Sequence, residues 1–358
     1  MATHLCIDVR MLNASGIGTF IKNILPHLVG KLQLSLLYLE EDEEELLAFS
    51  GCNLIPMKSA IYTIAEQFEL PKKIPKCDLF WSPHYNIPLF PIRAKKRLVK
   101  IHDVTPLVYF SELSWMQKIY AKLFFNAALL LSDVVTAVSE FSSSEIEKYC
   151  FIKKKKIAIA SSIAPRFLQK ITAAEQKAVR KKYNLPESFM LWVGNVKPHK
   201  NLKRLLAAFE SFPQEKLVLL GQKEKMRTID HDVIALAESA KNVQFTGYVE
   251  DDEVPVIYSL AKLCLFPSLY EGFGLPPLEA LACGCPSVVS NVASMPEVCG
   301  DAVEYIDPYS VDSIKEGIAK LLGSKERCLT LLKNGEKLLK KFTPEKSAEN
   351  YLTLIENL

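Results

Sequence analysis

One alternation, repeated twice, constrains this chain more than any other feature. Short runs rich in aliphatic and aromatic residues come first: LCIDVRM, LQLSLLYL, CDLFWS, RLVKIHD, DVVTAVS and KKIAIASS. Between or after several of them lie stretches with helical spacing, including 18–28, 115–131 and 140–149. Such alternation predicts parallel βα units with helices over both sheet faces. The pattern pauses over SSIAPRFLQKITAAEQKAVRKKYNLPESF, which holds two prolines, a basic helical stretch and no strand. It resumes with FMLWVGN, KLVLLG, NVQFTGYV, KLCLFPS, PSVVSN and AVEYID. At 358 residues the chain is long for a single core. Two doubly wound α/β domains are therefore expected, 1–165 and 187–343, joined by 166–186. A last helix, 344–358, is expected to pack back on the first domain, with Thr343 as N-cap and Pro344 in its first turn. Two such domains in tandem place a cleft between the carboxyl ends of both sheets, the edge where open α/β sheets bind ligands.

Charge and cysteine usage narrow the function. The formal net charge is +3, too balanced for a nucleic-acid partner. Basic clusters at Lys72-Lys73, 93–97, 153–156 and 180–182 read as solvated loops and helix ends. The sharper alternative is a weak docking surface for anionic lipid or a phosphorylated acceptor. The start, MATHLCIDVRM, lacks a basic leader region, and Asp8 interrupts its apolar run. LFFNAALLL, from Leu123, is too short to span a bilayer and reads as a buried helix. The expected location is cytoplasmic, with peripheral contact at the inner membrane face. The nine cysteines are scattered; only Cys283 and Cys285 lie close, with no second pair or histidine at zinc-like spacing. Neither a metal site nor a disulfide framework is expected.

Four strand-to-helix turns carry polar residues. NASGIGTF holds Gly16 and Gly18, which would let backbone approach an anion at a helix N-terminus, although such turns are common without any ligand. KIHDVTP ends a strand with His102-Asp103, either a working pair or a capped turn. WSPHYNIPL, with His84 and Asn86, reads as a proline-rich structural loop. WVGNVKPHKNLKRLL places Lys200 where a helix should begin. A lysine there opposes the helix dipole unless an anion pairs with it, so the phosphate reading is preferred to a solvated lysine.

A fifth such turn is LFPSLYEGFGLPPLEALACGCP. Gly272 and Gly274 expose backbone N–H groups, and Pro276-Pro277 preset a first helical turn. These donors and the helix dipole would seat a diphosphate. Glu271 and Glu279 bracket the turn. Either carboxylate could merely cap the helix, but two of them around a Gly-x-Gly turn exceed what capping requires.

With these segments in order, the sequence resembles glycosyltransferase family 4, the retaining GT-B enzymes that use nucleoside-diphosphate sugars. Glu271 and Glu279 match the family's E-x7-E pattern, and GNVKPHKNL, TGYVEDDEV, TAVSEFSS, SPHYNIPL, IHDVTP and SGIGTF follow the family's order. The resemblance implies a GT-B fold of two Rossmann-like domains facing each other across a cleft. It implies that Glu279 holds the donor ribose and that Glu271 contacts the transferred sugar. Phe273, Gly274 and Leu275, with Gly272, would present backbone N–H groups to sugar and phosphate. Lys200 would neutralise the diphosphate, His102 would lie beside donor sugar and acceptor, Gly16 would admit the phosphates, and Val249 would lie near the base. Asn195 departs from the pattern, because many relatives have a second diphosphate cation there; Arg204 or Lys197 would have to compensate.

The expected activity is retaining transfer of a hexose to a glycan or lipid-linked acceptor, without metal or cofactor. GDP-mannose is the first donor and a UDP-sugar the second, because the overall look is closest to bacterial mannosyltransferases. A nicotinamide dehydrogenase is disfavoured, since SGIGTF is not a full GxGxxG. A non-catalytic nucleotide-sugar-binding protein, or a GT-B epimerase or phosphorylase, would keep the fold.

Overall fold

The computed structural model describes residues 3–221 and 231–358. The chain divides into two units, Met1–Ser162 with Thr343–Leu358, and Ile163–Phe342. The first holds a seven-stranded sheet of β1 (His4–Asp8), β2 (Gln33–Leu39), β3 (Asn53–Met57), β4 (Cys77–Ser82), β5 (Ala94–Ile101), β6 (Val134–Ala137) and β7 (Lys156–Ala158). Its order is β3-β2-β1-β4-β5-β6-β7, and every pairing is parallel. Ile7 in β1 stands opposite Leu36 on one side and Trp81 on the other. Leu5, Cys6 and Ile7 are all buried, so the strand reads as a continuous apolar run covered on both faces.

The second unit repeats the plan with β8 (Met190–Val193), β9 (Leu217–Leu220), β10 (Val243–Phe245), β11 (Leu263–Phe266), β12 (Ser287–Ser290) and β13 (Glu304–Ile306). The order β10-β9-β8-β11-β12-β13 is again all parallel. Strand order reverses between β1 and β4 in one sheet and between β8 and β11 in the other. These are the switch points where a crevice opens beyond the strands' carboxyl ends.

Four local features differ from, or refine, the sequence reading. β3 was not expected; Asn53 and Pro56 argue against a strand, and it survives as an edge strand paired only with β2. Residues 166–186, expected as a connection, are built into the second unit. There the helix Ala173–Lys182 starts with a Thr172/Glu175 capping box, and its Gln176 amide donates to Ser259 Oγ at 3.1 Å. The helix Trp115–Leu131, also boxed by Ser114 and Gln117, buries Ala121, Phe124, Phe125 and Ala128 but exposes Leu123, Leu130 and Leu131. The expected buried helix is therefore buried on one face only. The last helix, Pro344–Glu356, is capped by Thr343, whose Oγ1 accepts from the Lys346 N–H. It belongs to the first unit, where the Tyr351 ring lies 4.5 Å from that of Trp81 and 5.6 Å from that of Phe20.

Candidate active site

In the second unit, the segment after β8 carries Lys200 in a short turn, Pro198–Lys200, just before the helix Leu202–Phe209. Asn201 follows with φ +57°, a left-handed conformation that asparagine tolerates better than most residues. Its buried side chain donates to the Pro267 carbonyl at 2.9 Å and the Pro308 carbonyl at 2.7 Å. The Leu269 N–H donates to the His199 carbonyl at 2.7 Å. The bonds to Pro267 and from Leu269 join the loop after β8 to the loop after β11, the two sides of the switch point, and the bond to Pro308 ties it to the segment after β13. Lys200 Nζ consequently lies 2.5 Å from Glu271 Oε1, with both side chains mostly shielded.

The Glu271–Gly274 loop is held from behind. Ser294 Oγ lies within hydrogen-bond distance of the Glu271 carbonyl (2.9 Å) and the Phe273 carbonyl (2.8 Å). A hydroxyl has one proton, so it serves the two acceptors by sharing or alternation. The Phe273 ring is core, edge-on to Phe342. Gly274 has φ +95°, and a Cβ there would meet Met295 Cε at 2.4 Å. The left-handed backbone favours glycine here, and any larger residue would also have to displace the flexible end of Met295. The helix Leu275–Ala282 begins at once, with Gly274 as N-cap, prolines in its first turn and no side-chain cap. Its N-terminus offers the Leu275 N–H and the positive end of the dipole, since Pro276 and Pro277 carry no N–H.

Glu279 stands in the middle of that helix, and Tyr258 donates to its Oε2 at 3.2 Å. Burial pushes the Glu279 carboxyl up to about 7, although the Arg166 charge and the Tyr258 hydroxyl pull it down. Arg166 also lies 3.5 Å from Asp251, and its Nε is buried without a hydrogen-bond partner. The sequence reading missed Arg166, Asn201, Tyr258 and Ser294. Only Asn201, beside Lys200 at a turn, had a local signal; the others act through contacts distant in sequence.

Asn195 is exposed, and its carbonyl accepts from the Lys197 N–H at 2.7 Å. Arg204, considered as a substitute cation, donates to Asn201 Oδ1 at 3.0 Å and lies over the Tyr309 ring. Its position is set by those neighbours. Lys197 is exposed. Val249 is buried beyond β10, after Gly247.

The first unit presents its own polar group at the β1/β4 switch point. Arg10 donates to Asp8 Oδ1 through Nε (2.9 Å) and to Oδ2 through Nη2 (2.7 Å), and Nη2 lies 2.5 Å from Glu66 Oε1. Asn86 Nδ2 donates to both Glu66 oxygens, at 2.9 and 2.8 Å. Burial raises the Asp8 carboxyl, but Arg10 and His84 outweigh it and hold Asp8 well below the usual carboxylate range. His84 Nδ1 accepts from the Asn86 N–H at 3.2 Å, which leaves Nε2 facing Asp8 at 3.5 Å. These buried contacts to Glu66 and Asp8 fix the His84–Asn86 loop in place.

His102 follows β5, edge-on to Phe20. Burial, with the Lys100 charge added, holds it well below the usual histidine range, so the imidazole is neutral. Nε2 lies 3.0 Å from the Pro83 carbonyl. A carbonyl can only accept, so Nε2 carries the proton and Nδ1 keeps a lone pair.

Gly16 and Gly18 lie in the first turn of the helix Ser15–Leu28 and have different explanations. A Cβ at Gly18 would meet the Leu12 carbonyl oxygen at 2.1 Å, so the chain's own backbone requires that glycine. That steric need accounts for the glycine without any ligand. A Cβ at Gly16 would meet nothing within 4 Å.

Paired all-parallel sheets with polar groups at both switch points define the GT-B fold. Sucrose-phosphate synthase from Thermosynechococcus elongatus superposes with a TM-score of 0.79 over 99% of this chain and 98% of that one, at 19% identity. Anabaena HepE in complex with UDP-glucose gives 0.79 over 99% and 100%, at 14% identity. Residues 175–338 match the family described as glycosyl transferases group 1. The chain is 33% identical over 256 residues to O-antigen chain mannosyltransferase B of Escherichia coli, covering 68% of this chain and 65% of that protein. It is 32% identical over 241 residues to the serotype-specific mannosyltransferase WbdA of Escherichia coli, covering 63% of this chain and 29% of that one. The matched region thus spans less than two thirds of either relative.

Proposed function

We propose that the protein is a retaining hexosyltransferase that moves mannose from GDP-mannose to a glycan or lipid-linked acceptor. The observation that carries this reading is Lys200 held against Glu271 beside an uncapped helix N-terminus, at the switch point of the second sheet. A lysine ammonium and backbone donors are what a departing diphosphate needs. Glu279, four residues into the helix, accepts from the donor ribose. Glu271 contacts the transferred sugar. In the transfer the bond from C1 to the phosphate oxygen breaks and a bond from C1 to the acceptor oxygen forms on the same face. The acceptor proton passes to the departing phosphate oxygen. His102 orients the acceptor by accepting a hydrogen bond from a neighbouring, non-reacting hydroxyl at its unprotonated Nδ1 and takes no proton in the transfer, and Gly16 lets the donor phosphates approach the backbone. No metal or cofactor enters this scheme.

The mannosyltransferase names of the sequence relatives favour GDP-mannose. A UDP-sugar is the second reading, because a structural neighbour is a UDP-glucose complex. Thermal unfolding with GDP-mannose, UDP-glucose or ADP-glucose distinguishes the two. A ligand at a hundred times its Kd should stabilise the native state by about 2.7 kcal/mol. Stabilisation by UDP-glucose alone would overturn the donor assignment. No stabilisation by any nucleotide sugar would overturn the class.

A further inference from the structure

The helix Trp115–Leu131 is apolar on two sides. One side packs against the first sheet's core through Ala121, Phe125 and Leu129. The opposite side leaves Trp115 71%, Met116 62%, Ile119 59%, Leu123 51% and Leu130 64% exposed. Helical spacing gathers these five into one stripe. Asn126, within the same arc, accepts from the Phe151 N–H at 2.7 Å and the Ile152 N–H at 3.1 Å. That places Phe151, 75% exposed, beside the stripe. A helix apolar all round is ordinarily buried on all sides, and a contiguous exposed apolar patch marks an interaction site.

The surrounding charge indicates the partner. Lys118 and Lys122 flank the stripe, their ammonium groups over the Phe110 ring at 5.5 and 4.7 Å. Four consecutive lysines, Lys153 to Lys156, follow directly on Phe151-Ile152. Lys153 and Lys155 are exposed, while Lys156 lies 3.7 Å from Glu147. An apolar stripe bordered by lysines is complementary to lipid chains beneath anionic headgroups. The helix is about 26 Å long at 1.5 Å per residue, short of the ~30 Å bilayer core. It fits a segment lying in the interface plane.

We propose that this face docks on the surface of an anionic lipid bilayer, with Trp115, Ile119, Leu123 and Phe151 inserted and the lysines at headgroup level. The inference is independent of the donor reading. Docking would bring the polar segment after β5, whose short helix Thr105–Val108 packs on the docking helix, close to the lipid surface.

The test is co-sedimentation of the full chain with vesicles of phosphatidylcholine alone and of phosphatidylcholine with phosphatidylglycerol, at low and high salt. Binding at least ten-fold tighter to the anionic vesicles, weakened by salt, is expected. Trp81 and Trp192 are buried, so a blue shift of tryptophan emission on binding reports Trp115 and should vanish in Trp115→Phe. Ile119→Glu with Leu123→Glu should abolish binding at an unchanged melting temperature. If that variant fails to fold, Lys153→Gln with Lys155→Gln, expected to weaken anionic binding several-fold, serves instead. Absence of vesicle binding by the native protein, binding indifferent to both variants, or a dimer in light scattering dispersed by Ile119→Glu would each overturn the proposal.

Discussion

Lys200 and Glu271 are 71 residues apart in sequence and 2.5 Å apart in space. The cation assigned to the diphosphate is therefore already engaged by the carboxylate assigned to the sugar. Lys200→Ala should lower turnover by roughly a hundred-fold, the usual loss of one fixed electrostatic donor. Glu271→Gln should also lower turnover, yet tighten binding of free GDP several-fold, because the ammonium is released from its partner. Calorimetric titration with GDP checks this; unchanged GDP affinity in Glu271→Gln would mean that the pair does not compete with phosphate.

Glu279 predicts a pH dependence of donor binding. Its carboxyl titrates at about 7 in the folded protein. A ribose hydroxyl donates best to the ionised form, so affinity for the nucleotide sugar should rise as pH increases through 7. Glu279→Gln should weaken binding and flatten the profile. The same shift acts on stability. The folded-state pKa is raised, so between the ordinary glutamate value and 7 the folded state binds the extra proton, and stability falls as pH rises through that window. At pH 8 the unliganded Glu279→Gln variant should melt higher than the native protein, and at pH 4 it should not.

Gly274→Ala should cost about 1–2 kcal/mol in stability from the left-handed backbone alone. The clash with Met295 adds to this, so combining it with Met295→Ala should restore part of the loss in urea unfolding. Donor affinity should fall in both variants, since the backbone conformation that aims the N–H groups is strained in each.

Arg10 neutralises two buried carboxylates, Asp8 and Glu66. Arg10→Met should destabilise the protein by roughly 3–5 kcal/mol, because both charges lose their partner. The stranded carboxyls would have raised pKa values and bind protons readily. The deficit in urea unfolding should therefore be smaller at pH 5 than at pH 8.

Lys100 is fully buried, and burial pushes its ammonium down to about 7. It donates to Tyr351 Oη at 3.0 Å and to the Ile159 carbonyl at 3.2 Å, and lies 4.3 Å from the Phe20 ring centre. The folded-state pKa is depressed, so from pH 7 up to the ordinary lysine range the unfolded chain binds the extra proton. Stability should rise with pH across that window, by a few kcal/mol at most. The rise should be absent from melting curves of Lys100→Met.

Much of the fold was legible because buried parallel strands are short apolar runs that need no partner to be recognised. All six strands of the second sheet fall within runs visible in the sequence; in the first, six of the seven overlap such runs, β1 and β5 beginning before theirs. β3 was hidden by Asn53 and Pro56, which only an edge position accommodates. The helix Ala173–Lys182 was read as connection because its basic composition says nothing of the neighbour it packs on. The steric need at Gly18 was not legible, because a glycine needed by a ligand and one needed by the Leu12 carbonyl are the same letter.

The order of βα units, the glycine turns, the placing of Lys200 and Glu271 at strand-to-helix junctions and of Glu279 on the helix that follows were determined by the sequence alone, since each follows from local periodicity and turn chemistry. Tertiary structure decided which of these groups share a site. It brought Lys200 to Glu271, placed Ser294 behind the glycine loop and set Tyr258 and Arg166 around Glu279. It also left one apolar helix face exposed to solvent. The physical reason is that sheet order and burial are non-local: the neighbours of β8 are chosen by the packing of the whole sheet, and charge, solvation and pKa follow from those neighbours.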